Sequence, residues 1–285
     1  MKKYVLLAVL CFCILNGNAA RAQEPQPQQG TQFNTGADPK EEAKNELNRG
    51  VEAFRQGRYD TATLAFQRAK RLDPQLLNAR LYLATTYASQ YIPGAPSEAN
   101  RSFGERSVEE FKGAFALDPN NLNALDGIGS ILFQMAGTPY KPEMFLESKD
   151  CFLKHIRIKA EDPEPYYWVG VIDWTLSFRG NAQLRAKYNE EHMQRQLRDT
   201  DPLPEAARVE YARQFGAAIE EGIESLRKAI GLRPDYDDAM AYLNLLYRRK
   251  ADIARAETER EQLLKMADDL IAQVIEIKQK RATQK

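Results

Sequence analysis

Histidine and cysteine are scarce in this chain, two and three among 285 residues. That scarcity argues against imidazole or thiolate chemistry and leaves few soft ligands for a metal. Neither sign of charge is in excess, since 40 basic side chains face 40 acidic ones. A balanced chain has no general electrostatic pull toward phosphate backbones or anionic lipid, and no local basic patch stands out, so nucleic-acid binding is not expected. Motifs are missing as well. There is no G-x4-G-K-[ST] phosphate loop, no H-E-x-x-H and no paired C-x2-C, and Gly127-Ile128-Gly129-Ser130 lacks the third glycine and preceding strand of a dinucleotide turn. No cofactor and no metal are expected. What is present, 43% hydrophobic and 28% charged residues, describes a foldable chain.

The first residues read as a leader. Lys2 and Lys3 precede an apolar run from Tyr4 to Leu15, and Ala20-Arg21-Ala22 has the small-residue spacing of a signal-peptidase site, so residues 1–22 are expected to be removed. The run falls short of the ~20 residues that span a bilayer, so no membrane span is expected in the mature chain. A lipoprotein would acylate Cys11 or Cys13, but Leu10 and Phe12 before them are too large for that signal. The expected location is therefore exported, periplasmic or extracellular. Loss of the leader leaves 37 bases against 40 acids and one cysteine, Cys151, so no intrachain disulfide can form and packing must supply the stability. Residues 23–40 open with QEPQPQQGTQFNTGADP, hold almost no apolar side chains, and read as a disordered Gln/Pro-rich linker.

From Glu41 onward the apolar spacing is helical, with no alternation of any length, which predicts an all-α chain. The chain is also self-similar. LNRGVEAFRQGRYDTATLAFQRAKRLDP is followed by LYLATTY, SVEEFKGAFALDP, ALDGIGSILF, SKDCFLKHIRIKAEDP, YYWVGVIDW, GIESLRKAIGLRP and AMAYLNLLY. Four of these segments close on Pro74, Pro119, Pro163 and Pro234. Proline disfavours the α conformation in the residue before it, so helices are expected to stop at Asp73, Asp118, Asp162 and Arg233.

These residues resemble the tetratricopeptide repeat, a helix-turn-helix unit of 34 residues with the pattern W-x2-L-G-x2-Y, A-x3-F, P. In the first unit Gly50, Ala62, Phe66, Ala69 and Pro74 match, and in the second Leu83, Ala84, Tyr87, Phe111, Ala114 and Pro119. The third keeps Ile128, Gly129, Ser148 and Phe152, and the fourth Tyr166, Val169, Gly170, Leu226, Ala229 and Pro234. A fifth offers Leu243, Tyr247, Ala267 and Ile271 without a closing proline. The resemblance implies an α-solenoid of about five antiparallel helix pairs over residues 41–281, with small residues where helices cross and aromatics filling the adjoining gap. Across the whole chain it is similar to exported bacterial proteins of this repeat type, through YIPGAPSEAN, GVIDWT and RPDYDDAMAYLNLLYR.

The departures matter as much. Successive closing prolines lie 45, 44 and 71 residues apart, longer than the repeat. The extra length is placed at about 89–103, between the helices of the second pair, and at 175–218 in the fourth. There NAQLRAKYNEEHMQRQLRD reads as one amphipathic stretch, and PEAARVEYARQFGAAIEEGIESLRKAI as one long helix beginning near Pro204.

Single residues invite chemical readings. Cys151 lies in a helical apolar pattern and reads as a small buried hydrophobe. His155 and His192 are assigned packing or surface roles. Asp235, Asp237 and Asp238 lack the glycine and terminal glutamate of a calcium loop and suit a helix start. Asn100-Arg101-Ser102 fits a glycosylation acceptor. A carboxylate pair from Asp173, Glu190 and Glu191 is the sole enzymatic alternative, with nothing to fix it at a catalytic separation. Asp173 stands where the repeat expects an aromatic, so a cation from the insertion, Arg179 or Arg185, is predicted beside it.

In this repeat family the first helix of each pair lines a concave groove. By that resemblance the candidate partner-binding residues are Phe54, Thr85, Ser130, Phe133, Tyr167, Val171, Trp174, Leu245 and Arg248, with Leu47, Val51, Leu81, Asp126 and Asp238 at equivalent positions. Tyr167, Val171 and Trp174 form one stripe of the helix that carries both tryptophans; the alternative is that they pack against the insertion. Val51 and Leu47 fall where a carboxylate clamp needs Asn and Lys, so chaperone-tail binding does not transfer. The implied function is a non-catalytic scaffold or assembly factor of the cell envelope that holds a protein or peptide. The alternative is a small-ligand or glycan binder built on Trp168 and Trp174.

Overall fold

The computed structural model describes residues 38–283, and the leader and most of the linker lie outside the described residues. Ten helices follow one another among those residues: α1 (Pro39–Arg55), α2 (Tyr59–Leu72), α3 (Leu77–Gln90), α4 (Glu98–Leu117), α5 (Leu122–Met135), α6 (Pro142–Ile158), α7 (Pro163–Glu191), α8 (Glu205–Leu232), α9 (Asp237–Ala251) and α10 (Glu257–Thr283). They form five antiparallel pairs, and the fold is a tetratricopeptide-type α-solenoid.

Most helix ends obey the proline rule. α2, α4 and α8 hand over to Asp73, Asp118 and Arg233 in extended conformation, each immediately before its proline. The third proline behaves differently. α6 ends at Ile158, and Pro163 opens α7, where its missing N–H is an orphan donor in any case. Asp162 is the N-cap, its carboxylate accepting from the Glu164 amide at 3.1 Å. Pro39 likewise opens α1 behind the N-cap Asp38, so the end of the stretch assigned to the linker is already helical.

The core is divided into four clusters that each cross from one pair to the next. Phe66 packs with Leu83 and Tyr87, Phe111 with Leu125, Ile128 and Cys151, and Phe152 with Val169 and Ile172. The largest cluster joins Ile219, Ile223 and Leu226 of α8 to Leu243, Leu246 and Tyr247 of α9 and Ala267 of α10. No pair can hide its apolar face alone, so each supplies a wall for its neighbour. Among the first helices, α1 touches α3, α3 touches α5 and α7 touches α9, whereas second helices of adjoining pairs make no comparable contact. The first helices therefore line the inner side of the curve.

The insertions lengthen existing helices. α7 runs for 29 residues and α8 for 28, and the two continue side by side beyond the ordinary repeat. A Cβ at Gly180 would lie 2.1 Å from the Phe215 ring, which shows how closely the added turns cross. Tyr211, fully buried, donates its hydroxyl to the Ser177 carbonyl at 3.0 Å. The stretch read as one helix from Asn181 stops at Glu191. His192 to Pro204 is non-helical, held by Asn189, whose side chain bonds the Leu197 backbone on both its N–H (2.7 Å) and its carbonyl (3.1 Å). In the second pair only Tyr91–Ser97 is loop, because α4 already begins at Glu98. Asn100 secures that loop, accepting from the Ile92 N–H at 2.7 Å and donating to the carbonyls of Ile92 and Ala95. Its amide is buried and committed, which removes the glycosylation reading.

At the C-terminal end Arg281 bonds Asp237 at 2.8 Å and Asp235 at 3.1 Å, tying α10 to the start of α9. Ile271 is exposed; Leu263, Ala267 and Val274 are the buried positions of α10.

Candidate interaction groove

Between α3 and α5 the inner face opens into a depression of about 420 Å³. Asn78, Leu81, Tyr82 and Thr85 line it from α3, Asn123 and Asp126 from α5, and Phe111 of α4 closes the floor. Their positions follow from helix geometry. Leu81 and Thr85 are one turn apart, Asn78 lies one turn before Leu81, and Asn123 and Asp126 repeat that register on the next first helix. A Cβ at Gly127 would sit 2.5 Å from the Phe111 ring, so the glycine lets that ring reach the floor.

Asp126 is the charged member of this lining. Its Oδ1 lies 2.6 Å from Nδ1 of His155, a buried imidazole on α6. On its other side His155 approaches the Asp162 carboxylate, with Nε2 at 3.7 Å. The packing role assigned to His155 thus takes the form of a link between α5, α6 and the cap of α7. Burial raises the Asp126 carboxyl above its usual range against the pull of His155, and the charges of Asp162 and Glu164 add to the rise. His192, by contrast, is exposed and stacks on Tyr188.

Farther along the inner face an aromatic seam crosses three pairs. Phe133 meets Trp168 edge-on at 5.3 Å, Trp168 meets Tyr167 at 5.4 Å, Tyr167 meets Tyr242 at 5.7 Å, and Trp174 meets Tyr242 at 5.2 Å. Trp174 also stacks on Phe178 of the lengthened α7. Phe133, Tyr167 and Trp174 are thus brought together, half-buried, but mostly through α9 instead of the insertion. Burial pushes the Tyr167 and Tyr242 hydroxyls above their ordinary range. Trp168 stacks on Phe152 at 5.7 Å, so the two indoles serve different contacts.

The remaining expected positions are dispersed. Thr85 is in the depression with its hydroxyl donating to the Leu81 carbonyl at 2.8 Å. Ser130 and Leu245 are half-buried on α5 and α9, and Phe54 lies against Tyr59 at the first turn. Val171 is 2% exposed and belongs to the core, so it presents no surface to a partner. Arg248 is occupied, bonding Asn244 at 3.0 Å and Asp268 of α10 at 2.6 Å.

Asp173 has its cation, though not the expected one. Lys149 of α6 donates to it at 2.6 Å and to Glu221 of α8 at 2.7 Å, stapling the third pair to both helices of the fourth. Arg179 instead lies over the Tyr140 ring, and Arg185 bonds Asn181, the Arg198 carbonyl and Asp252. The insertion points outward past Asp173, whereas α6 crosses directly beneath it. The catalytic pairing of Asp173 with Glu190 or Glu191 also fails. Seventeen residues of continuous helix separate Asp173 from Glu190, a distance of about 26 Å at 1.5 Å per residue, several times the spacing of a glycosidase pair. Cys151 is buried as expected, its thiol pushed up to about 11 by desolvation, so it is held as the unreactive thiol.

Helix pairs stacked so that their first members form an inner face define the tetratricopeptide class of helical-repeat fold. Solved structures of that architecture are similar along most of the chain. A crystal structure of MamA aligns at 16% identity over 85% of this chain and 95% of its own, with a TM-score of 0.56. The MamA 41-end structure from Desulfovibrio magneticus RS-1 aligns at 16% identity, over 84% and 96%, with a TM-score of 0.54. YrrB, described as a TPR protein with an unusual peptide-binding site, aligns at 13% identity, over 84% and 93%, with a TM-score of 0.50. At these identities the likeness establishes the fold. No protein-family model matches the chain, and no curated protein matches it.

Proposed function

We propose that this chain is a non-catalytic protein-interaction scaffold of the cell envelope that holds an extended segment of a partner along its inner face. The observation that carries the reading is the depression between α3 and α5, where apolar floor and amide rim lie together on the face that the first helices share. An extended segment needs both, apolar contact for affinity and side-chain donors and acceptors for its unpaired backbone. The peptide-binding site of YrrB, on the same architecture, supports it. So does the state of the core's reactive groups: Asp173, His155 and Cys151 are buried, the first two bound to other side chains. Export rests on the leader read from Lys2 to Ala22.

Thr85→Arg fills the depression without touching the core and is the test. Affinity capture from envelope extract with the wild-type chain should recover a defined protein that the variant does not. Identical recoveries would remove the groove as the contact surface. Amino-terminal sequencing of the mature protein should begin at Gln23, and an intact Met1 would overturn the exported location.

A further inference from the structure

We infer that the depression between α3 and α5 selects a cationic side chain, Lys or Arg, on an extended partner segment whose backbone runs past Asn78 and Asn123. The inference rests on the groove reading above and adds the sign of the charge and the anchor residues. Each asparagine offers a donor and an acceptor, the complement of one peptide unit, and the two sit at the same register on successive first helices. Leu81 and Phe111 form the apolar floor between them. At one edge Tyr82 is exposed and stacked on Phe66 at 5.5 Å, which fixes an aromatic face for the methylene stem or charge of an entering side chain.

Asp126 gives the site its sign. Its neighbours already have fixed cations: Lys159 lies 3.0 Å from Asp162, and Arg233 lies 3.5 Å from Glu164. Among the described residues Asp126 has only the buried His155, on one oxygen, and its side chain is 42% exposed at the depression. A partner's ammonium or guanidinium would give the second oxygen a charge-assisted bond in a partly desolvated setting. A partner carboxylate would meet the Asp126 carboxylate at close range, a like-charge contact that no lysine or arginine of this lining offsets. The site is therefore the electrostatic inverse of a clamp that grips a terminal carboxylate.

Three labelled twelve-residue peptides of one Ser/Leu-rich sequence, differing only in a central Lys, Gln or Glu, test this by fluorescence anisotropy with the full chain. The Lys peptide should bind at least about tenfold more tightly than the Glu peptide, and the gap should narrow with added salt. Asp126→Asn should bring the Lys and Glu peptides within about twofold, and Asp126→Glu should restore the order. Asp150→Asn, an acid paired with Lys154 on α6, should leave it intact. Far-UV circular dichroism and an unchanged Gln-peptide affinity show that each variant is folded. Equal affinities for Lys and Glu peptides, or a preference that survives Asp126→Asn, would overturn the charge assignment. If all three bind equally and Thr85→Arg abolishes binding, the groove stands and only the charge falls. If none binds, or Thr85→Arg changes nothing, both fall.

Discussion

Asp173→Asn isolates a carboxylate that the fold buries completely. Asp173 is 0% exposed in the middle of α7; Oδ1 accepts from Lys149, while Oδ2 is buried with no hydrogen-bond partner among the described residues. Desolvation outweighs the lysine and pushes the carboxyl up to about 7. In the unfolded chain the same group titrates near ~3.9. The folded state thus retains a proton that the unfolded state has released. Stability from this group is greatest below the unfolded value, falls as pH rises between the two, and levels off above about 7, where both states are ionised. The slope is about 1.4 kcal/mol per pH unit inside the window, or about 2 kcal/mol between pH ~5 and ~7 once partial titration near the folded value is counted. Burial pulls Lys149 down but the two carboxylates together outweigh it, so the ammonium lies above its usual range and does not titrate there. Asparagine cannot titrate, so the variant should gain about 2 kcal/mol relative to wild type across that interval. Urea unfolding of both proteins at several pH values, followed by tryptophan fluorescence and far-UV circular dichroism, measures it. Subtracting one curve from the other cancels the groups that do not contact this site. A difference that stays flat with pH would refute the reasoning, because it would mean that Lys149 keeps Asp173 ionised throughout and that burial does not dominate.

The lengthened fourth pair offers two simpler tests. Gly180→Val places methyl groups where the Phe215 ring already sits, 2.1 Å from the Cβ position, and should lower stability by about 1–3 kcal/mol, read as a fall in thermal midpoint; an unchanged midpoint would show that α7 and α8 do not cross so closely. Arg185→Met removes the bonds to Asn181, the Arg198 carbonyl and Asp252 and leaves Asp252 with Arg249 and the Asn181 amide, at a cost of about 2–3 kcal/mol. Amide exchange in residues 192–204 should accelerate with it, and an unaltered exchange pattern would deny Arg185 its hold on that loop.

The repeat architecture was legible because it is written in local rules. Apolar spacing, small residues at crossings and prolines at helix ends each act within a few residues, and together they placed Phe66, Leu83, Phe111, Phe152, Leu226 and Tyr247 in the core where the structure has them. Errors arose where one residue type serves two geometries. Proline ends a helix through its effect on the preceding residue but equally begins one at the first position, so Pro163 read as a stop while it starts α7. The insertion posed a different difficulty. Its periodicity shows that residues 175–191 are helical, yet periodicity is silent on whether they begin a new helix or prolong α7. Only packing decides that, through Gly180 against Phe215 and Tyr211 against Ser177. The partner of Asp173 was missed for the same reason: Lys149 is 24 residues away on α6, and no local pattern connects them.

The groove was legible to the extent that it follows helical register and illegible where register and packing diverge. Leu81, Thr85 and Asp126 were assigned to the inner face, and all three line the depression. Asn78 and Asn123 were not, although each stands five positions before a repeat leucine or isoleucine, Leu83 and Ile128, so their recurrence was a usable signal. Val171 satisfies the same register and is buried, and Arg248, partly exposed, is already bonded to Asn244 and Asp268. In the fourth and fifth pairs Tyr242 of α9 meets Tyr167 and Trp174, and Asp268 of α10 bonds Arg248, so neighbouring side chains occupy the positions that stay open between α3 and α5. Contacts between segments distant in sequence, which register does not encode, thus decide how much of each first helix stays exposed, and Asn78 and Asn123 keep the more open surroundings between α3 and α5.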